Sequence, residues 1–306
     1  MNEFDLIEKY FNWYPNSGVF GVGDDCALVT IGAKQHIATT VDTLIEGVHF
    51  PKNTTAADIA YKVLAVNLSD LAAMGATPLY FTLALTLPNI DEQWLEEFSS
   101  ELKSLAEKYN IRLVGGDTTK GTLSITINVT GTVAKSKALL RSGAKLGDEI
   151  FVSNTLGDAA LAWQQIQGGK TPSEALLAQF NRPEPKIELG QALAGVANSC
   201  IDISDGLEQD LSHILSCSNV GAKIALDALP LSADVAKYIS KTQDWCVALA
   251  GGDDYELCFT VPKSHLDALE AIQDELGINL SKIGVITKSG LDIEELDESC
   301  QSYRHF

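Results

Sequence analysis

Apolar positions along the 306-residue chain recur with two different periods. Alternating or β-branched runs at 36–41 (HIATTV), 79–87 (LYFTLALTL), 111–114 (IRLV) and 123–134 (LSITINVTGTVA) predict strands. Helical spacing predicts one helix over 56–75, stopped by Gly75 with Pro78 just beyond. A second helix is predicted over 92–109, where Leu95, Phe98, Leu102, Leu105 and Tyr109 share one face. After the polar stretch RSGAKLGD at 141–148 the mixture resumes. Strands are expected near 149–153, 222–226, 255–261 and 282–287, and helices near 157–168, 186–199, 206–216 and 263–275. The pattern is that of an α/β (α+β) protein. The expected division is 1–138 and 139–306, within the boundary region 136–147. No short-period repeat is present, although VGGD at 114–117 and AGGDD at 250–254 echo each other.

Six apolar runs end in aspartate: GVGDD (21–25), TTVDT (39–43), NLSDL (67–71), VGGDTT (114–119), IDISDG (201–206) and AGGDDYE (250–256). Each has an ordinary reading, because Asp, Gly and Ser close turns at strand ends through local hydrogen bonds. Asp24 and Asp25, side by side between apolar flanks, either point into water or face a cation. Two unit charges about 4 Å apart repel by about 4 kcal/mol at an effective dielectric near 20.

Asp70 fits the turn reading least. On the helix 56–75 it shares a stripe with Ile59, Val63 and Asn67. A carboxylate on an apolar face persists when a cation or metal pairs with it. Asp and Thr oxygens are hard donors, suited to Mg²⁺ or Ca²⁺ and not to zinc or copper. The calcium-loop spacing is absent, so any ligands must converge from distant segments. Dispersed Mg²⁺ carboxylates go with phosphate chemistry, since the ion takes phosphate oxygens in its remaining positions. Neighbouring glycines let backbone N–H groups approach a phosphate. SDGLEQDL at 204–211 predicts a helix start with Ser204 or Asp205 as N-cap, whose orphan N–H groups could hold one. GGKT at 168–171 is no phosphate loop, because Gln164 stands where the motif needs glycine.

Composition narrows the classes. A net charge of −19 argues against nucleic acid as partner. No apolar run approaches the roughly 20 residues that span a bilayer, and the acidic N-terminus MNEFDLIEKY lacks the basic region of a secretory signal. Cys26, Cys200, Cys217, Cys246, Cys258 and Cys300 form no C-x-x-C pair. Reduced thiols in a cytoplasmic protein are therefore expected.

The ordered series GVGDDCA, TVDTLIEGVHF, AYKVLAVNLSDLAAMGA, LTLPN, GGDTTKG, LLRSGAKLGD, IDISDGL, GGDDYELCFTV and YRHF resembles bacterial thiamine-monophosphate kinases, nearly end to end. These belong to a superfamily of ATP-dependent enzymes that includes aminoimidazole-ribonucleotide synthetase. The resemblance implies a two-domain fold of that type with mixed sheets and packed helices. It also implies an N-terminal domain that dimerises and binds Mg²⁺ and ATP, and a C-terminal domain completing the ATP and substrate site. The implied reaction is ATP-dependent phosphorylation of thiamine monophosphate to thiamine diphosphate, with several Mg²⁺ ions and no side chain as general base.

Carried over by motif, Asp25, Thr40, Val41, Asp42, Asp70, Asp117, Asp202 and Asp205 serve the metals, with Asp24 either a turn former or a support behind the ligands. Gly116, Asp117, Arg141 and Ser204 contact ATP; His49, Asp253 and Tyr303 contact thiamine monophosphate. Two positions depart from the family pattern: Val41 offers only its carbonyl oxygen, and Asp253 stands where the family has glutamate. A sister synthetase, or a divalent-ion-binding protein without catalysis, remains the alternative. Both faces of 79–87 are apolar enough to require cover; a helix of the same chain could supply it, but the resemblance implies the matching sheet of a second chain, and hence a homodimer.

Overall fold

The computed structural model describes residues 9–11, 32–294 and 300. The chain divides into two compact units. One holds the described residues up to Leu71 together with Ala76–Lys135; the other takes Ala72–Gly75 and the described residues from Ser136 onward.

Among the described residues the first unit holds a four-stranded mixed sheet and two long helices. Its elements are β1 (Gln35–Ile45), α1 (Ala56–Ala73), β2 (Thr77–Leu87), α2 (Glu92–Lys108), β3 (Arg112–Lys120) and β4 (Ser124–Ala134), with sheet order β1-β4-β2-β3. β2 and β3 run parallel because α2 carries the chain back between them; β4 pairs antiparallel with both β1 and β2. Phe81, Leu83, Leu85, Ile125, Ile127 and Val129 bury one face. α1 is apolar nearly all round and buried to match, with Asn67 and Ser69 enclosed too. α2 is amphipathic and starts on Asp91, whose carboxylate accepts the N–H groups of Gln93 and Trp94.

Two strands run further than their apolar residues suggest. β1 extends to Ile45 and β3 to Lys120, so Asp42 and Asp117 lie within strands and not in closing turns. The GGD of 115–117 is thus part of a strand, while that of 251–253 lies in a loop, and their echo is not structural.

The second unit is a six-stranded mixed sheet in the order β10-β7-β9-β5-β8-β6. Its strands are β5 (Glu149–Ser153), β6 (Ser199–Asp202), β7 (Gly221–Ile224), β8 (Leu257–Val261), β9 (Leu280–Thr287) and β10 (Leu291–Ile293). The helices are α3 (Asp158–Gln167), α4 (Glu174–Asn181), α5 (Ile187–Leu193), α6 (Leu207–Ser218), α7 (Ala233–Thr242), α8 (Cys246–Leu249) and α9 (Leu266–Leu276). Ile150, Val152, Leu161, Phe180, Ile201 and Leu211 are part of one continuous core.

The helix expected over 186–199 ends at Leu193, and its last residues begin β6 instead. SCID at 199–202 is buried on both faces, so it shows neither period. The expectation of reduced thiols is also corrected: Cys246 and Cys300, 54 residues apart in sequence, form a disulfide with Cα atoms 5.4 Å apart. The fold brings them within bridging distance, which no spacing in the sequence reveals. Cys200, Cys217 and Cys258 are free. Among the described residues no helix is long and apolar enough to cross a membrane.

Candidate functional site

In the first unit the site forms where β1 meets α1. Alternation along β1 puts Thr40 and Asp42 on the covered face, while Ile37, Thr39, Val41 and Thr43 point to the open face. Thr40 Oγ1 donates to Asp70 Oδ2 at 2.7 Å, tying the strand to the helix. The carboxyl of Asp42 neighbours that of Asp70. Burial, reinforced by the neighbouring Asp70 charge, pushes Asp42 up to about 6. Asn128 Nδ2 donates to the Thr40 carbonyl at 2.9 Å and holds the strand here. These are hard oxygens, partly desolvated and crowded by their own charge. That donor set fits a small divalent cation such as Mg²⁺.

Asp117 does not join this group. Strand register aligns Asp42 with Ile127, Leu83 and Gly116, and aligns Asp117 with Ala84, Thr126 and Thr43. Asp117 therefore faces the open side at the opposite edge, roughly 14 Å away by three strand spacings. Within one sheet the two carboxylates cannot share an ion. Gly116 has a role in the fold as well: a Cβ there would lie 1.8 Å from the Leu83 carbonyl oxygen, so only glycine lets β3 pair with β2. His49 sits in the turn after β1. Its Nδ1 accepts the Ile45 N–H at 3.0 Å, which leaves the neutral ring's proton on Nε2.

In the second unit the β6–β8 ladder continues past its ends and gathers four of the expected residues. Asp202, the last residue of β6, is buried opposite Leu257. Beyond it the Ile203 N–H donates to Glu256 O, Tyr255 N–H to Ile203 O and Asp253 N–H to Ser204 O, at 2.8, 2.7 and 2.9 Å. Ser204, Asp205 and Asp253 thereby share one edge. Gln209 Nε2 donates to Asp205 Oδ2, and the Tyr255 hydroxyl donates to Asp253 Oδ1. Asp253 and Tyr255 have φ of 70° and 50°, left-handed backbone that non-glycine residues adopt only when surroundings impose it.

The backbone N–H groups of 204–206 are not open to a phosphate, contrary to the reading of SDGLEQDL. Asp210 Oδ2 accepts all three, from Ser204, Asp205 and Gly206, at 2.9, 3.0 and 3.1 Å. The N-cap of α6 is Gly206 and not Ser204 or Asp205. Gly206 has φ of 116°, and a Cβ there would lie 2.7 Å from the Ala250 backbone. Arg141 is exposed, and its carbonyl oxygen accepts the Ser218 hydroxyl. Asp24, Asp25 and Tyr303 lie outside the described residues. Among the described residues no three of His, Cys, Asp and Glu gather as a metal-holding group.

Several polar residues behind this edge escape sequence reading. Lys186 and Glu256 form a buried ion pair at 3.2 Å, and Glu256 also accepts from Ser153 and Asn154. Burial pushes Glu256 up to about 7, against the opposing pull of Lys186 and those hydrogen bonds. Asp254 is half-buried and takes the Gly157 N–H on both its oxygens; burial pushes it well above the usual carboxylate range. The only signal was the run of acids in GGDDYE, which does not say which face inward.

This two-sheet fold, with hydroxyl and carboxylate groups at its strand edges, is that of the AIR synthase related proteins. The N-terminal domain family of that description matches residues 23–133, and the C-terminal domain family matches residues 145–295. Within that class the chain belongs to the thiamine-monophosphate kinase family. It is 48% identical over 295 residues to the thiamine-monophosphate kinase of Haemophilus influenzae, covering 94% of this chain and 90% of that one. The crystal structure of thiamine-monophosphate kinase from Stenotrophomonas maltophilia K279a is similar with a TM-score of 0.85 and 44% identity, over 90% of each chain. A structure named AaThiL complexed with AMPPCP and TMP gives a TM-score of 0.81 and 30% identity, over 96% of this chain and 94% of that one.

Proposed function

We propose that this chain transfers the γ-phosphoryl group of ATP to the phosphate of thiamine monophosphate, yielding thiamine diphosphate and ADP. The observation that carries the reading is the 48% identity to such a kinase across 94% of the chain. The chemistry fits. A phosphate monoester with a second pKa near 6 already presents an anionic oxygen at neutral pH. That oxygen attacks Pγ, the bond from Pγ to the β-phosphate oxygen breaks, and ADP leaves with the electron pair. No side chain need remove a proton. The protein's task is to bind two polyanions, align them and neutralise charge.

In this reading Asp25, Thr40, the Val41 carbonyl, Asp42, Asp70, Asp117, Asp202 and Asp205 hold Mg²⁺ at more than one site. When bound, Mg²⁺ supplies the positive charge that lets an acidic surface accept polyphosphate and that stabilises the transferring group. Gly116, Asp117, Arg141 and Ser204 contact ATP, with Arg141 as a fixed cation against phosphate. His49, with its Nε2–H, and Asp253 contact thiamine monophosphate, and the Tyr303 ring lies against the cationic thiamine.

A homodimer through the first 138 residues belongs to the same proposal, as does a cytoplasmic location, where ATP is abundant. The open sheet face supports the dimer: Ile37, Val41 and Ile45 are 52%, 57% and 36% exposed in one alternating row. The discriminating experiment offers purified protein Mg²⁺-ATP with thiamine monophosphate, thiamine or no acceptor. ADP is expected to form in step with thiamine diphosphate only with the monophosphate. ATP turnover indifferent to the acceptor would overturn the reading.

A further inference from the structure

The three hydrogen bonds to one oxygen of Asp210 are an arrangement that neither the family motif nor the expected site explains. Three consecutive N–H groups curl round a point where an anion belongs, and the chain supplies that anion itself from the first turns of α6. Asp210 is 3% exposed, so its carboxylate serves the turn and not the solvent. The turn it closes carries Ser204 and Asp205. The same turn offers the Ser204 carbonyl to the Asp253 N–H at 2.9 Å. Asp253 in turn holds a left-handed φ of 70°, a conformation that persists only where its surroundings impose it.

From this geometry we propose that Asp210 is a positioning residue. Its carboxylate sets the backbone of the 203–206 turn and, through the Ser204 carbonyl, that of Asp253. The proposal rests on the reading above, in which Ser204 and Asp205 serve ATP and metal while Asp253 serves the acceptor. One carboxylate then aligns groups for both substrates without touching either. Removing its charge should misplace both sets of contacts together.

Steady-state kinetics of Asp210→Asn provides the test, with Asp148→Asn as control. Asp148 is also buried and caps a turn, accepting the Lys145 N–H and the Asn198 amide, but no expected site residue depends on it. Asp210→Asn should raise KM for both ATP and thiamine monophosphate, and lower kcat/KM at least tenfold for each. Asp148→Asn should leave both KM values within twofold of wild type, whatever it does to the melting temperature. Unchanged KM values in Asp210→Asn, or the same rise in both variants, would overturn the proposal.

Amide hydrogen exchange of the wild-type protein gives a second arm that needs neither activity nor a folded variant. The amides of Ser204, Asp205 and Gly206 should exchange slowly as a group. Exchange at the rate of an open loop would also overturn it. A wild-type protein with slow amides but no kinase activity would instead count against the functional reading alone.

Discussion

Asp42 and Asp70, neighbouring and partly buried carboxyls, stabilise one another only while they share a proton or a cation. Asp42→Asn should therefore keep or raise the melting temperature of the metal-free protein near pH 7.5, because it removes a repulsion. The same change should cut turnover at least a hundredfold at millimolar Mg²⁺ and abolish any Mg²⁺-dependent rise in melting temperature. Thermal melts with and without Mg²⁺, set beside the turnover assay, measure both; a variant with near wild-type turnover would remove Asp42 from the metal site. Glu256 carries a pH effect of known sign. Its folded pKa is raised to about 7, so its contribution is fully present below the unfolded value near 4.3 and is lost as pH rises through 7. Glu256→Gln should flatten the fall in stability between pH 5 and 8, by up to about 3 kcal/mol at the upper end. Chemical denaturation of both proteins across that range would show it; parallel curves would contradict it. Asp70 was legible in the sequence because helical periodicity puts it on an apolar face. Asp210 was not, since its partners are backbone N–H groups that a string of side chains does not display.

At the scale of elements, the long periodic segments were the readable ones. α1, α2, β2 and β4 stand within a few residues of their predicted spans. Each is long enough for one period to dominate. The short buried pieces were not readable: β6 has four residues with no exposed face, and α4 and α7 open on Ser173 and Ser232 caps inside stretches that otherwise look like loop. β3 shows a third kind of difficulty. Glycine–glycine–aspartate reads as a stop, yet register with β2 carries the strand through it because Gly116 alone fits against Leu83. Gly116→Ala should therefore push β3 from β2 and cost about 2–3 kcal/mol of stability. Denaturant titration is the check, and a midpoint unchanged from wild type would mean that the pairing relaxes freely.

For the whole molecule, the open face of the first sheet poses the remaining question. β1 places Ile37, Val41 and Ile45 outward while polar Thr40 and Asp42 point inward beside the buried Leu44, unlike a solvated edge strand. A second copy of the chain is the proposed cover. Sedimentation of dilute protein should give twice 32.8 kDa, and Val41→Lys should shift it toward monomer; a wild-type monomer would remove the dimer and leave the kinase reading standing. The sequence could not show which face of β1 stays open, because register alone decides it, nor the Cys246–Cys300 disulfide, which depends on how distant segments meet.

The central claim is the transfer itself, and phosphorus NMR of one reaction tests it most directly. With purified protein, Mg²⁺, ATP and thiamine monophosphate, the monophosphate and γ-phosphate signals should decline together. The paired signals of thiamine diphosphate and those of ADP should grow in equal amount, with no free phosphate. Loss of the γ-phosphate signal to inorganic phosphate, with thiamine monophosphate unchanged, would contradict the account.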